Sequence, residues 1–166
     1  MSERILYLHG YKGSLTPEKR TILEHYSNVV APTIDYDNPG FFKKLLPFAQ
    51  KADVFIGSSF GGYTAHMLSM LYNKPALLFN PAFVTKSPVP DLDGLTMPEA
   101  KSSHTCIVLG KLDDVIIYRD NLEHVSRNLG LDDVRIVEEE DMGHRIPEDV
   151  FGVQVEGLWK RIYTNQ

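Results

Sequence analysis

The sequence predicts an α/β fold: a doubly wound, mainly parallel sheet of six strands. Three observations point there. Short apolar runs alternate with stretches of helical period along the 166 residues, the pattern of repeated βαβ units. Most of those runs are continuously apolar, as strands covered on both faces are. The composition, 43% hydrophobic and 23% charged, is that of an ordinary globular chain and excludes a disordered or fibrous one. The length predicts one domain over residues 1–166, large enough to bury a core without staples.

Taken in order, Ile5–Leu8 reads as the first strand. Thr16 is the N-cap of a first helix with Pro17 in its first position, and Ile22, Leu23 and Tyr26 form its apolar face. Val29–Ala31 is the second strand. Asn38-Pro39 opens a second helix that turns Phe41, Phe42, Leu45 and Leu46 toward the core, with Phe48 also assigned there, and Pro47 is expected to kink or end it. Val54–Gly57 is followed by a helix from about Gly61 to Tyr72. After the strands Ala76–Phe79 and Thr105–Leu109 comes a helix marked by Tyr118, Leu122, Val125 and Leu129 and stopped by Gly130. Val134–Val137 precedes a last helix carrying Phe151, Val155, Leu158 and Ile162, which Gly152 and Gly157 weaken by about 1 kcal/mol each. The proline-interrupted residues 81–103, and residues 138–148 with their opening Glu138-Glu139-Glu140-Asp141, are expected to be loops.

Several function classes drop out. A net charge of −5 argues against general nucleic-acid binding, which favours a basic face. No apolar run approaches a membrane span. Met1-Ser2-Glu3-Arg4 leads into an apolar run too short for a signal-peptide core, so the expected location is cytoplasmic. Cys106 is the single cysteine, which leaves no intramolecular disulfide or cysteine zinc cluster; within its apolar run it reads as a packed, inert thiol. No residues have metal-ligand spacing and no phosphate-binding glycine loop occurs, so neither metal nor cofactor is expected.

The chemistry concentrates in Gly57-Ser58-Ser59-Phe60-Gly61, a G-x-S-x-G match placed between a strand and a helix. Such a turn needs small residues so that strand and helix can approach. It presents Ser59 at the sheet edge as a nucleophile and leaves the Phe60 amide free at a helix N-terminus to stabilise an oxyanion. A serine needs a base. Of His9, His25, His66, His104, His124 and His144, only His144 lies in a loop after the last strand, at the edge where parallel sheets bind ligands. His25, His66, His104 and His124 read as surface or packing residues, and His9 as a structural brace. Asp113, after the fifth strand, is the leading candidate to orient the imidazole; Asp114 and, less favourably, Asp141 remain open. With strand order 2-1-3-4-5-6, the His9–Gly13 loop lies beside the serine turn, and the Tyr11 amide pairs with that of Phe60 as an oxyanion hole. Residues 81–103 are expected to shape an acyl pocket with Phe83, Val84, Val89, Leu92, Leu95 and Met97.

Leu8-His9-Gly10-Tyr11, Gly57-Ser58-Ser59-Phe60-Gly61-Gly62, Phe79-Asn80-Pro81-Ala82, Gly110-x-x-Asp113 and Gly143-His144 together resemble a small α/β-hydrolase. The pattern is most similar to the compact YqiA-type esterase family over nearly the whole chain. The resemblance implies Ser59 as nucleophile, Asp113 as acid, His144 as base and Tyr11 and Phe60 as oxyanion donors, on a minimal fold with little or no cap. The expected function is a serine hydrolase that cleaves small-molecule or acyl esters through an acyl-enzyme. A thioesterase of the acyl-CoA type, a peptide hydrolase and a non-catalytic binding module on the same fold are the alternatives.

Overall fold

The computed structural model describes residues 4–86, 88–99, 103–128 and 134–164. Its strands are β1 (Arg4–Leu8), β2 (Asn28–Val30), β3 (Val54–Ser58), β4 (Ala76–Phe79), β5 (Thr105–Gly110) and β6 (Val134–Glu139), and its helices α1 (Pro17–Glu24), α2 (Phe41–Lys51), α3 (Phe60–Tyr72), α4 (Tyr118–Asn128) and α5 (Glu148–Tyr163). The strands form one sheet in the order β2-β1-β3-β4-β5-β6, every neighbouring pair parallel. This is the predicted fold and strand order.

Period-two side-chain alternation divides the core. Leu6, Leu8, Phe55, Ala76, Leu78, Ile107 and Leu109 point to one face and pack with Phe41, Phe42 and Leu45 of α2, Ala65 and Leu68 of α3 and Val125 of α4. Ile5, Tyr7, Val54, Ile56, Leu77, Phe79, Cys106 and Val108 point to the other and pack with Leu23 of α1 and Phe151, Val155 and Leu158 of α5. The central strands are therefore apolar throughout because each face has its own helical layer. The buried Cys106 thiol is pushed up to about 11 by burial.

The first helix forms as its caps dictate: the Thr16 hydroxyl accepts a hydrogen bond from the Lys19 N–H, with Pro17 next. The second helix differs from expectation at both ends. Asn38 is not its start; the Asn38 side chain accepts from the Gly40 N–H at 2.8 Å, and the helix begins at Phe41. Nor does Pro47 end it. Pro47 lies on the solvent side, where water can satisfy the carbonyl left without a partner, while the buried Phe42, Leu45 and Ala49 hold the turns on either side. Phe48 is not core: it is 43% exposed, beside the short edge strand β2, beyond which the sheet offers nothing to cover it.

β6 runs two residues past its expected end, pairing Glu138 with Leu109 and Glu139 with Gly110. As an edge strand it tolerates alternating exposed charge, so the loop occupies only 140–147. Leu129 and Gly130, the expected end of the fourth helix, lie outside the described residues. No helix or strand forms between β4 and β5 among the described residues, and no described helix is long and apolar enough to cross a membrane.

Candidate active site

At the carboxyl edge of the sheet, β3 passes into α3 through Ser59 alone. Its backbone holds φ 57°, ψ −120°, in the positive-φ region that non-glycine residues rarely adopt. Three backbone bonds hold it there: the Ser59 N–H donates to Phe79 O at 3.0 Å, and Ser59 O accepts from the Tyr63 N–H at 3.1 Å and the Ala82 N–H at 2.9 Å. The motif's glycines are a packing requirement. A Cβ at Gly57 would stand 2.1 Å from Gly61 O, and one at Gly61 would stand 1.9 Å from Leu8 O. Phe60 is the first residue of α3, so its N–H has no partner within the helix.

The β5–α4 turn and the β6–α5 loop bring Asp113 and His144 together. Asp113 is 5% exposed; its Oδ2 lies 2.9 Å from Nδ1 of His144, and its Oδ1 accepts the N–H groups of Val115 at 2.9 Å and Ile116 at 3.0 Å. Asp114 next to it is exposed, which separates the two candidates by geometry. Asp141 is also exposed. His144 and Ser59 line one cleft of about 970 Å³, together with Gly10, Tyr11, Lys19, Phe60, Val115, Ile116 and Arg145. No hydrogen bond joins the Ser59 side chain to His144 among the described residues, and such contacts commonly tighten only when substrate binds.

Leu8 pairs with Gly57, so the loop after β1 runs alongside the serine corner: a Cβ on Gly10 would lie 3.3 Å from that of Ser59. His9 serves this loop as a brace. Its Nε2 accepts the Ile34 N–H at 2.8 Å and its Nδ1 faces Gly10 O, an arrangement that uses both nitrogens of a neutral ring. The Tyr36 hydroxyl donates to His9 O. The Tyr11 hydroxyl donates to Asp37, its ring stands edge-on to Phe60, and both residues line the cleft.

The cleft walls are unlike. Val115 and Ile116 supply an apolar side; Lys19, Arg145 and Glu148 supply charge. Burial lowers the Lys19 ammonium's affinity for its proton, with Glu148 opposing that shift and Arg145 adding to it. Burial also pushes the phenol of Tyr7, another lining residue, up to about 12. Among the described residues no group of three or more His, Cys, Asp or Glu is arranged to hold a metal ion.

Residues 81–103 do not shape the cleft as expected: among the described residues of the segment only Thr85 lines it. Phe83 is buried between Tyr63, His66 and His124, Leu92 and Leu95 pack on the core, and Val84 and Val89 are exposed. Phe83 covers α3 and α4 instead. His25, His66, His104 and His124 stand away from the cleft lining.

Two asparagines escaped the sequence reading as contributors to the site. Asn80 is 1% exposed with φ 41°; its side chain donates to Gly143 O at 3.0 Å and His144 O at 3.1 Å and accepts the Gly110 N–H at 2.8 Å. Asn121, also 1% exposed, donates to Pro81 O at 2.8 Å. The signal for Asn80 was its place directly after an all-apolar strand, where a buried amide must find partners.

Three solved structures show what this architecture is similar to. The mouse alpha/beta hydrolase domain-containing protein 10 is 12% identical, with 100% of this chain and 92% of that one covered at a TM-score of 0.75. A carboxylesterase from Bacillus cereus is 20% identical over 96% and 88% at 0.65, and one from Mesorhizobium loti is 19% identical over 94% and 88% at 0.63. At these identities the likeness is one of fold. No curated protein sequence matches the chain. The model of the uncharacterised protein family UPF0227 matches residues 4–94, from β1 through the serine corner and Asn80. With that match over more than half its length, the chain belongs to family UPF0227, and its fold is that of the α/β-hydrolases.

Proposed function

We propose that the protein is a serine hydrolase of carboxylic esters, with Ser59 as nucleophile, His144 as general base and Asp113 as the carboxylate that orients it. The observation that carries this reading is the 2.9 Å contact between His144 Nδ1 and Asp113 Oδ2, in a cleft that also exposes a serine held at φ 57°. A neutral imidazole donating through Nδ1 presents a bare Nε2, the form that accepts a hydroxyl proton.

Ser59 attacks the ester carbonyl as His144 takes its proton, and the oxyanion gathers at the Tyr11 and Phe60 amides. His144 then protonates the departing alcohol, leaving an acyl-Ser59 ester. Water, deprotonated by His144, attacks that ester; the acid leaves and Ser59 regains its proton.

A thioester with an anionic leaving part is the second reading. It is favoured by Lys19 and Arg145, which line the cleft and make no ion pair among the described residues. A panel of ester, thioester and amide versions of one acyl group separates the two. Labelling with a fluorophosphonate, followed by mass-spectrometric location of the adduct, tests the proposal itself. The adduct is expected on Ser59, and Ser59→Ala is expected to lose turnover by about 10⁶-fold. An unlabelled protein, as a binding module would be, overturns it.

A further inference from the structure

We propose that Asn80 is a positioning residue that sets the contact between Asp113 and His144, an inference that rests on reading these two and Ser59 as one catalytic set. Phe79 and Ala82 hold the Ser59 peptide from both sides, through the bonds from the Ser59 N–H to Phe79 O and from the Ala82 N–H to Ser59 O. Between them stands Asn80, whose own N–H donates to Val108 O of β5 at 2.9 Å. The four-residue segment that fixes the serine therefore also carries the amide that reaches the other two residues.

That amide divides its work. Its oxygen accepts the Gly110 N–H, and Gly110 O accepts the Asp113 N–H at 3.1 Å, so one bonded path runs from Asn80 through a single residue, Gly110, to Asp113. Its nitrogen donates to the carbonyls of Gly143 and His144, which holds the backbone on which the imidazole is mounted. Both paths are short and both loops otherwise lie at the sheet edge. They meet tightly: a Cβ on Gly110 would fall 2.4 Å from Met142 O. An amide is the one short side chain that supplies an acceptor to the first path and two donors to the second. The positive φ of 41° at this position further favours asparagine among non-glycine residues.

Two variants separate the side chain from the backbone. Asn80→Asp keeps the acceptor for Gly110 but removes both donors and turns a carboxylate toward two carbonyl oxygens. Asn80→Gly keeps the positive φ without strain and removes every side-chain bond. Each is compared with wild type for ester kcat and KM, measured well below its own melting temperature. Each is also examined by proton NMR for the low-field resonance of the His144 Nδ1 proton, assigned by its loss in His144→Gln. The expected result is a kcat lowered about 100-fold, as misplacement on the ångström scale produces, with KM little changed and the resonance broadened or lost in both variants.

A structural role alone would lower the melting temperature while leaving the resonance and the kcat of the folded protein in place, and that outcome overturns the proposal. If Asn80→Asp does not fold, Asn80→Gly decides alone. Should wild type show no esterase activity while the resonance is lost in the variants, the hydrolase reading falls and the positioning role stands. A resonance retained in both variants overturns the positioning role whatever the activity.

Discussion

The Asp113 carboxylate does two things with two oxygens: Oδ2 meets Nδ1 of His144 at 2.9 Å, and Oδ1 closes its own turn on the Val115 and Ile116 amides. Asparagine at this position can keep the turn, through its remaining oxygen, but offers an N–H where the imidazole needs an acceptor. Asp113→Asn is therefore expected to fold and to lose kcat by on the order of 10⁴-fold, because the ring is driven to the wrong tautomer. Asp114→Asn, at an exposed side chain, should stay within about twofold of wild type. Steady-state ester hydrolysis by the two variants checks the assignment; equal losses would contradict it.

The glycines differ in what surrounds them. At Gly61 an added methyl would stand 1.9 Å from Leu8 O, a backbone atom that cannot move without opening β1. Gly61→Ala should be destabilised by about 3 kcal/mol or more in urea melts. At Gly157, in mid-α5, the same methyl meets nothing within 4 Å, and Gly157→Ala should gain about 0.5–1 kcal/mol.

Phe42 and Phe48 share a helix but not a fate on truncation. Phe42 is fully buried and Phe48 is 43% exposed. Phe42→Ala should cost about 3–5 kcal/mol through lost burial and a cavity, whereas Phe48→Ala should cost less than about 1 kcal/mol. Paired denaturant midpoints read the difference.

Stability should fall in alkali. Burial raises the Cys106 thiol from 9.0 to about 11 and the Tyr7 phenol from 10.0 to about 12. In the unfolded chain both lose their protons first, so above pH 9 the unfolded state binds fewer protons and is favoured as pH rises. The decline begins near pH 9, deepens through pH 10, and levels off above the folded values, with each group contributing on the order of 3 kcal/mol. Urea melts from pH 8 to 11 test the slope; Tyr7→Phe should flatten it above pH 10.

The sheet was legible because burial on both faces leaves a plain signature, and the strand order taken as the premise for placing the His9 loop beside the serine corner is the one the sheet has. The corner itself announced its geometry through glycine spacing, which reports a close approach and nothing more distant. What escaped was long-range. Pro47 reads as a helix breaker locally, yet the packing of Leu45 and Ala49 carries α2 through it. Phe83 reads as pocket lining until the face it covers is known. Asn80 looks like a turn residue, since its partners Gly110, Gly143 and His144 lie 30 to 64 positions away.

The strand order also works as a timetable. Every strand after β2 is added on the same side of the sheet, β3 against β1 and then outward to β6. As the polypeptide leaves the ribosome, the pieces that build the serine corner are complete by Ala82, while the imidazole emerges only after β6. With Ser59 and His144 in the roles proposed above, a half-made chain would carry its alcohol without a proton acceptor, and reactivity would be withheld until the last edge of the sheet has been laid down.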